Sequence, residues 1–202
     1  MGLTGSAQIA ESLLRITNGG GGQAGSGFFN TKVGLKKFTN TFRFQITNPD
    51  ADGFTFTFQN ASSRALGAQG GGLGYGPDNV GGNAPNIPRS VAIKFDIYNN
   101  QGEGENSTGI YSNGVAPTVP SIDLNGTGIN LKSGGVFEVS MTYDGITLKV
   151  AIRDINTNAT ANQSYTVDSP GTLKYTTGYV GFTGGTGGLT AIQDILSWTM
   201  TP

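Results

Sequence analysis

Neither cysteine nor histidine occurs anywhere in the 202 residues. Without histidine there is no imidazole general base and no His-dependent triad. Without cysteine there is no thiol nucleophile, disulfide or thiolate metal site. A Ser-x-x-Lys sequence is missing too. Charge is equally scarce, since only 12% of residues are Asp, Glu, Lys or Arg and the formal net charge is −1. Such a surface generates no field to gather nucleic acid or an anionic membrane. No apolar run approaches the ~20 residues of a membrane-spanning helix, so neither polyanion binding nor membrane insertion is expected. The opening MGLTGSAQIAE lacks the basic and apolar regions of a signal peptide.

What the chain has instead is glycine, 34 of them, with many Thr, Asn and Ser. That composition describes short strands and tight turns with a neutral, hydrogen-bonding exterior, which suits sugars. Period-two alternation dominates. In GFTFTFQN, Phe54, Phe56 and Phe58 face one way and Thr55, Thr57 and Gln59 the other, which reads as a half-buried strand. In SVAIKFDIY, Val91, Ile93, Phe95 and Ile97 form the inner row, throwing Ala92, Lys94, Asp96 and Tyr98 onto the opposite face. VFEVSMTYDGITLKVAIRD reads as a hairpin closed by a type I′ turn at Asp144-Gly145, with Ile146, Leu148, Val150 and Ile152 returning inward. Further strands are expected at 12–17, 42–47, 179–183 and 192–200.

Helical periodicity is nearly absent, and the long connection 65–88 carries glycine and proline. Neither an internal repeat nor a compositional boundary divides the chain, and NGGGGQAGSG reads as an internal loop. One all-β antiparallel sandwich over residues 1–202 is the economical solution. GGGLGYG, residues 70–76, loosely resembles a nucleotide-binding loop, but no helix follows to hold a phosphate.

KFDIYNNQGEGENSTGI starts as a strand and ends as a loop of carboxylates, amides and glycines. Asp96, Asn100, Glu103 and Glu105 are hard oxygen donors of the kind calcium selects, and they equally make a solvated acidic loop. Glycoside hydrolysis would need two carboxylates roughly 5 to 10 Å apart. No strand carries alternate acids, and Asp96 shares its face with Lys94. A catalytic function is therefore not expected; a sandwich hydrolase or lyase and a pocketless adhesion domain are the alternatives to sugar binding.

NPDADGFTFTFQN, ALGAQGGGLGYG, SVAIKFDIYNN, YVGFTGGTGG and QDILSWTM, in that order, resemble the legume-lectin (L-type lectin) domain, particularly its bacterial branch. The resemblance implies a concanavalin-like jelly-roll β-sandwich with a sugar held by loops above the front sheet. It also implies a secreted or cell-surface setting and a homodimer paired through the back sheet. By the same resemblance Asp52, joined to Ala51 by a cis peptide bond, accepts hydrogen bonds from two ring hydroxyls. Gly71 offers its N–H to the sugar, with Gly70 and Gly72 as alternates. Asn100 donates its amide to a hydroxyl and its carbonyl oxygen to Ca2+, while Tyr98 stacks on the ring and gives its main-chain carbonyl to the metal. Asp96 and Glu103, or Glu105 in place of the latter, complete the metal set, and Gly188 and Leu189 tune specificity. The Glu and His that hold a transition metal beside the calcium in this family read here as Lys94 and Ser107. No second metal is expected, and the Lys94 ammonium is expected to replace part of its charge.

Overall fold

The computed structural model describes residues 1–78 and 84–202; residues 79–83, inside the expected 65–88 connection, lie outside the described residues. Alternating apolar and β-branched residues, punctuated by glycine turns, give a succession of strands. In chain order these begin with β1 (Gly2–Gly5), β2 (Gln8–Ala10), β3 (Leu13–Asn18), β4 (Ala24–Phe28) and β5 (Val33–Gly34). They continue with β6 (Phe38–Thr47), β7 (Gly53–Gln59), β8 (Ser90–Asp96), β9 (Ser107–Ser112) and β10 (Ile122–Asp123). The last are β11 (Val136–Tyr143), β12 (Thr147–Asp154), β13 (Thr160–Thr166), β14 (Thr177–Gly185) and β15 (Ile192–Thr201). A five-residue helix at Ser169–Leu173 is the longest helical segment among the described residues.

All pairings are antiparallel. The front sheet runs β1-β4-β14-β7-β8-β9-β10, with β5 added beside β14, and the back sheet runs β13-β12-β11-β6-β15-β3-β2. This is the jelly-roll sandwich expected from the sequence. Part of the NGGGGQAGSG stretch, expected as loop, is drawn into the front sheet as β4. Its glycines let neighbouring main chain come close: a Cβ at Gly25 would sit 2.3 Å from the Ile16 carbonyl oxygen.

Phenylalanines fill the space between the sheets. Phe42 of β6 packs on Phe182, Phe95 and Phe56 of the front sheet, with ring centroids 4.9, 5.7 and 5.9 Å apart. Edge and offset contacts of this kind add to the burial of large apolar area, and together they fix how the sheets lie on one another.

The central strands β7 and β8 of the front sheet are buried on both faces. Thr55, Thr57 and Lys94 are as inaccessible as the phenylalanines beside them, so β7 is not the half-buried strand its alternation suggests. The reason is the connection after β7, which folds back over the sheet instead of standing in solvent. Its Leu73 and Tyr75 are buried, and Tyr75 packs with Phe28, Ile87, Ala92 and Tyr111 in a second, smaller core. Buried hydroxyls need partners. Thr55 binds Thr57 and Thr183 at 2.7 Å, and Thr183 donates to the Leu73 carbonyl at 2.8 Å, tying the connection to the strands beneath.

The β11–β12 hairpin also departs from its sequence reading. Tyr143 pairs with Leu148, and the Asp144 carboxylate accepts the N–H groups of Ile146 and Thr147 at 2.9 and 2.7 Å. A side chain that satisfies two turn amides favours this longer connection over a two-residue turn. Ile146 is consequently in the turn and 68% exposed instead of facing inward.

Burial pushes the Tyr75 and Tyr165 hydroxyls up to about 12 and raises Tyr111 further. A folded-state pKa above the unfolded value of ~10 means the unfolded chain releases these protons first. Stability should therefore hold below pH ~10 and fall as pH rises above it. Urea titrations at rising alkaline pH check this: tyrosinate absorbance of these residues should grow together with loss of the fold, not ahead of it.

Candidate functional site

Three chain segments converge at the end of the front sheet. The Ala51-Asp52 peptide is cis and leads into β7, and the Asp52 carbonyl accepts the Ile97 N–H at 2.8 Å just beyond β8. Gly70–Gly72 form a single 3-10 turn, whose Gly70 N–H donates to the Thr186 carbonyl at 3.1 Å. The loop after β14 is held from the other side, since Gly22 N–H donates to Gly187 and Thr186 N–H to Gln23, at 2.8 and 2.9 Å. The N-terminal glycine stretch thus supports the rim. No local pattern in it announced that role.

Between these segments lies an open cavity of about 250 Å3 lined by Asp52, Gly71, Asp78, Tyr98, Asn100 and the Gly187–Leu189 loop. Asn100 donates its amide to Asp52 Oδ2 at 3.2 Å across 48 residues of sequence. Asp52 is buried, yet its Oδ1 has no hydrogen-bond partner, and neither has Asn100 Oδ1. Burial raises the Asp52 carboxyl above the ordinary carboxylate range; the Asn100 amide and the nearby Gly187 N–H pull it back, and Asp78 pushes it further up. Gly71 lies against Asn100 so closely that a Cβ there would sit 2.7 Å from Asn100 Cγ. Tyr98 and Asn100 are half-buried, and Gly188 and Leu189 are exposed on the rim. All six residues expected at a sugar site line this one cavity. Asp78 lines it as well and was not singled out from sequence.

Beneath the cavity, Lys94 and Asp96 form a buried ion pair with Nζ to Oδ2 at 2.9 Å and exposures of 0% and 1%. Lys94 also donates to the Thr118 carbonyl at 2.9 Å and lies 5.5 Å from the Tyr111 ring centroid. Burial pushes the Asp96 carboxyl up to about 7, against the pull of the Lys94 ammonium and the Tyr98 N–H. Ser107, directly opposite Asp96 in register, is buried with an unpartnered hydroxyl. Glu103 and Glu105 part company: Glu103 is 3% exposed, whereas the Glu105 side chain is 69% exposed and reaches Lys132 at 3.7 Å.

The donor set fits one hard cation. Asn100 Oδ1 and Glu103 Oε1 are buried oxygens without partners, and the Tyr98 main chain, two residues before Asn100, donates its N–H to Asp96 Oδ1 at 3.2 Å. Among the described residues no cluster of three His, Cys, Asp or Glu side chains forms, so a cation here would need amide and main-chain oxygens beside the carboxylates.

A legume lectin domain profile matches residues 1–202. The chain belongs to the legume lectin family. This legume lectin domain is 30% identical over 175 residues to agglutinin-2 of Cladrastis kentukea, covering 82% of the present chain and 58% of that protein. It is 30% identical over 174 residues to L-type lectin-domain containing receptor kinase VIII.1 of Arabidopsis thaliana, covering 80% of the chain and 23% of the kinase. The chain therefore spans less than two thirds of the length of either relative. Among solved structures, lectin I-B4 of Griffonia simplicifolia in its metal-free form superposes with TM-score 0.82 at 21% identity, covering 98% of this chain and 91% of that one. The Bauhinia forficata lectin in complex with GalNAc gives 0.81 at 23%, covering 98% and 90%. At such identities these two superpositions speak for the fold.

Removing one member of a buried ion pair strands the other charge and typically costs ~3–5 kcal/mol, whereas replacing both with apolar groups is often neutral or stabilising. Lys94→Met should accordingly lose about that much in urea unfolding. The double variant Lys94→Met/Asp96→Leu should recover most of the loss.

Proposed function

We propose that this domain is a non-catalytic carbohydrate-binding module that holds one hexose ring in the cavity at the end of the front sheet. The observation that carries the reading is the Asp52 carboxylate: buried, fixed through one oxygen by Asn100, and without a partner at Oδ1 on a cavity floor. An unmade bond to a buried carboxylate costs free energy, and a ring hydroxyl supplies the missing donor. Asn100 contributes the amide that orients Asp52 and a donor for the sugar, Gly71 its main-chain N–H, and Tyr98 an aromatic face for the C–H side of the ring. Gly188 and Leu189 meet whatever projects beyond the pocket.

Calcium belongs to the same proposal, held by Asp96, Glu103, Asn100 Oδ1 and the Tyr98 carbonyl. When bound it would fix the Asn100 carbonyl so that its amide stays on the cavity side. An exported, bacterial setting and pairing of two copies through the back sheet complete the reading. In support of the pairing, Thr39, Thr41, Ser140 and Thr142 present only short hydroxyl side chains on the outer face of that sheet. A hydrolase would need two carboxylates working on opposite sides of a glycosidic bond.

Glycan-array screening followed by calorimetry tests the function. Asp52→Ala should abolish binding, and Gly71→Ala should weaken it by at least about tenfold by displacing the Asn100 side chain, a loss of ~1.4 kcal/mol. Retention of full affinity by Asp52→Ala would refute the site. Aryl glycosides incubated with the wild type should release no aglycone.

Calcium should raise Tm and strengthen sugar binding, and a chelator should reverse both. Manganese added on top of calcium should change neither.

A further inference from the structure

The cavity holds a second carboxylate that the sugar-binding reading does not use. Asp78 lines it together with Asp52. Its carboxylate packs on Gly70, where a Cβ would approach Oδ2 to 2.9 Å, so only glycine at that position leaves the acid its place. Gly70 carries φ +55°, a backbone state that also favours glycine. Gly70 in turn adjoins the position from which a Gly187 Cβ would face Asp52 Oδ1 at 3.4 Å. The two acids thus flank one glycine turn and open on the same space.

Among the described residues no cation answers them. The ion pairs among the described residues engage Asp194, Glu138, Asp96 and Glu105, but neither Asp52 nor Asp78. Lys94, the buried ammonium nearest the site, is committed to Asp96 and Thr118. Residues 79–83 read NVGGN and bring no basic side chain of their own. Asp52 Oδ1 is buried and unpartnered on the cavity floor, so at least one acceptor is directed at a guest. A pocket with two acids and no neighbouring cation attracts positive charge and repels negative charge.

Resting on the carbohydrate reading above, we propose that Asp78 makes this pocket selective for a saccharide bearing a free, protonated amine, of the 2-amino-2-deoxyhexose class. Asp52 takes ring hydroxyls, and Asp78 pairs with the ammonium. Acetylation removes the guest's charge and its charge-assisted hydrogen bond, and a uronic or sialic acid meets like charge.

The test is calorimetric titration of the wild type with glucosamine and galactosamine, their N-acetyl counterparts, glucose, galactose and galacturonic acid, at slightly acidic pH, where an amine is protonated. The amine sugar should bind about five- to tenfold tighter than the matching neutral hexose at low salt, with galacturonic acid weakest. Salt of ~1 M, where the screening length is ~3 Å, should compress that ratio. In Asp78→Asn the ratio of amine to neutral affinity should fall close to one, whatever the absolute affinity, with a thermal melt establishing that the variant is folded. Equal affinities in the wild type, or an amine preference that survives in Asp78→Asn, would overturn the assignment while leaving the carbohydrate reading intact. Failure of every sugar to bind the wild type overturns both.

Discussion

Burying a carboxylate removes its water, and every lone pair not given a donor by the protein becomes a demand on something else. At Asp52 the protein meets half of that demand. The Asn100 amide reaches one oxygen, and the other is left facing a cavity. Much of the surrounding architecture serves to keep this carboxylate where it is. Its main chain is tied to the residue after β8 and to the end of β14, while the glycine turn at Gly70–Gly72 leaves no volume into which Asn100 might withdraw. The threonine chain from Thr57 through Thr55 and Thr183 to Leu73 fixes that turn in the sheet below. Preorganisation of this sort lowers the ordering cost of binding, which matters most for small polar guests that offer little apolar area.

A second constraint lies one layer deeper. Asp96 is shared between the strand that ends at the site and the loop that leaves it, and it cannot be buried alone. The chain neutralises it from two residues away on the same strand face, with an ammonium whose stem crosses the small core beside Tyr111. A covalently attached cation differs from a bound metal in a simple way: it is never lost to dilution or chelation, but it offers donors in place of coordination and cannot organise a set of carboxylates around itself. That difference accounts for the neighbouring residues. Ser107, across the ladder from Asp96, needs only to be small, and Thr118 supplies Lys94 with a carbonyl instead of a charge. A hard cation held by Asn100 and Glu103 would feel this fixed positive charge.

The sandwich was legible because alternation is a property of single strands, and GFTFTFQN or SVAIKFDIY shows it without help from the rest of the chain. Parity alone placed Lys94 and Asp96 on one face, and their contact follows from that placement. What alternation does not carry is which face is covered. Thr55 and Thr57 read as solvent-facing because hydroxyls usually are, and only the folding back of the Gly-rich connection buries them. Asp144-Gly145 was misread for a related reason: the sequence suits a two-residue turn, but the Asp144 side chain makes two hydrogen bonds available only to a longer one. Glu103 and Glu105 are equivalent in sequence and separate only when one enters the fold. Asp78 lay beyond local reasoning altogether, because its significance comes from Gly70, eight positions earlier, being small enough to admit its carboxylate to the pocket wall.

The size of the cavity limits what it can do alone. At about 250 Å3 and open to solvent, it falls below the roughly 300–1,000 Å3 of pockets that enclose a drug-sized ligand. On the proposed reading one ring fits, and the remainder of any glycan lies outside, on Leu189 and the neighbouring rim. The groups that touch that ring are few and polar, so each contact exchanges a bond to water for a bond to protein and gains only the modest net energy of a hydrogen bond, about 0.5–1.5 kcal/mol, or roughly 1.5–3 kcal/mol where a carboxylate is involved. Against the entropy lost on association, such a sum leaves weak binding by a single domain. Useful retention then has to come from several sites engaging one surface, where effective concentration multiplies affinity without any new contact. A domain whose single pocket binds weakly would exercise its function in arrays, and discrimination in an array depends on small differences per site. In such a setting the proposed role of Asp78 would be amplified, because a several-fold preference at each pocket is compounded over every pocket engaged.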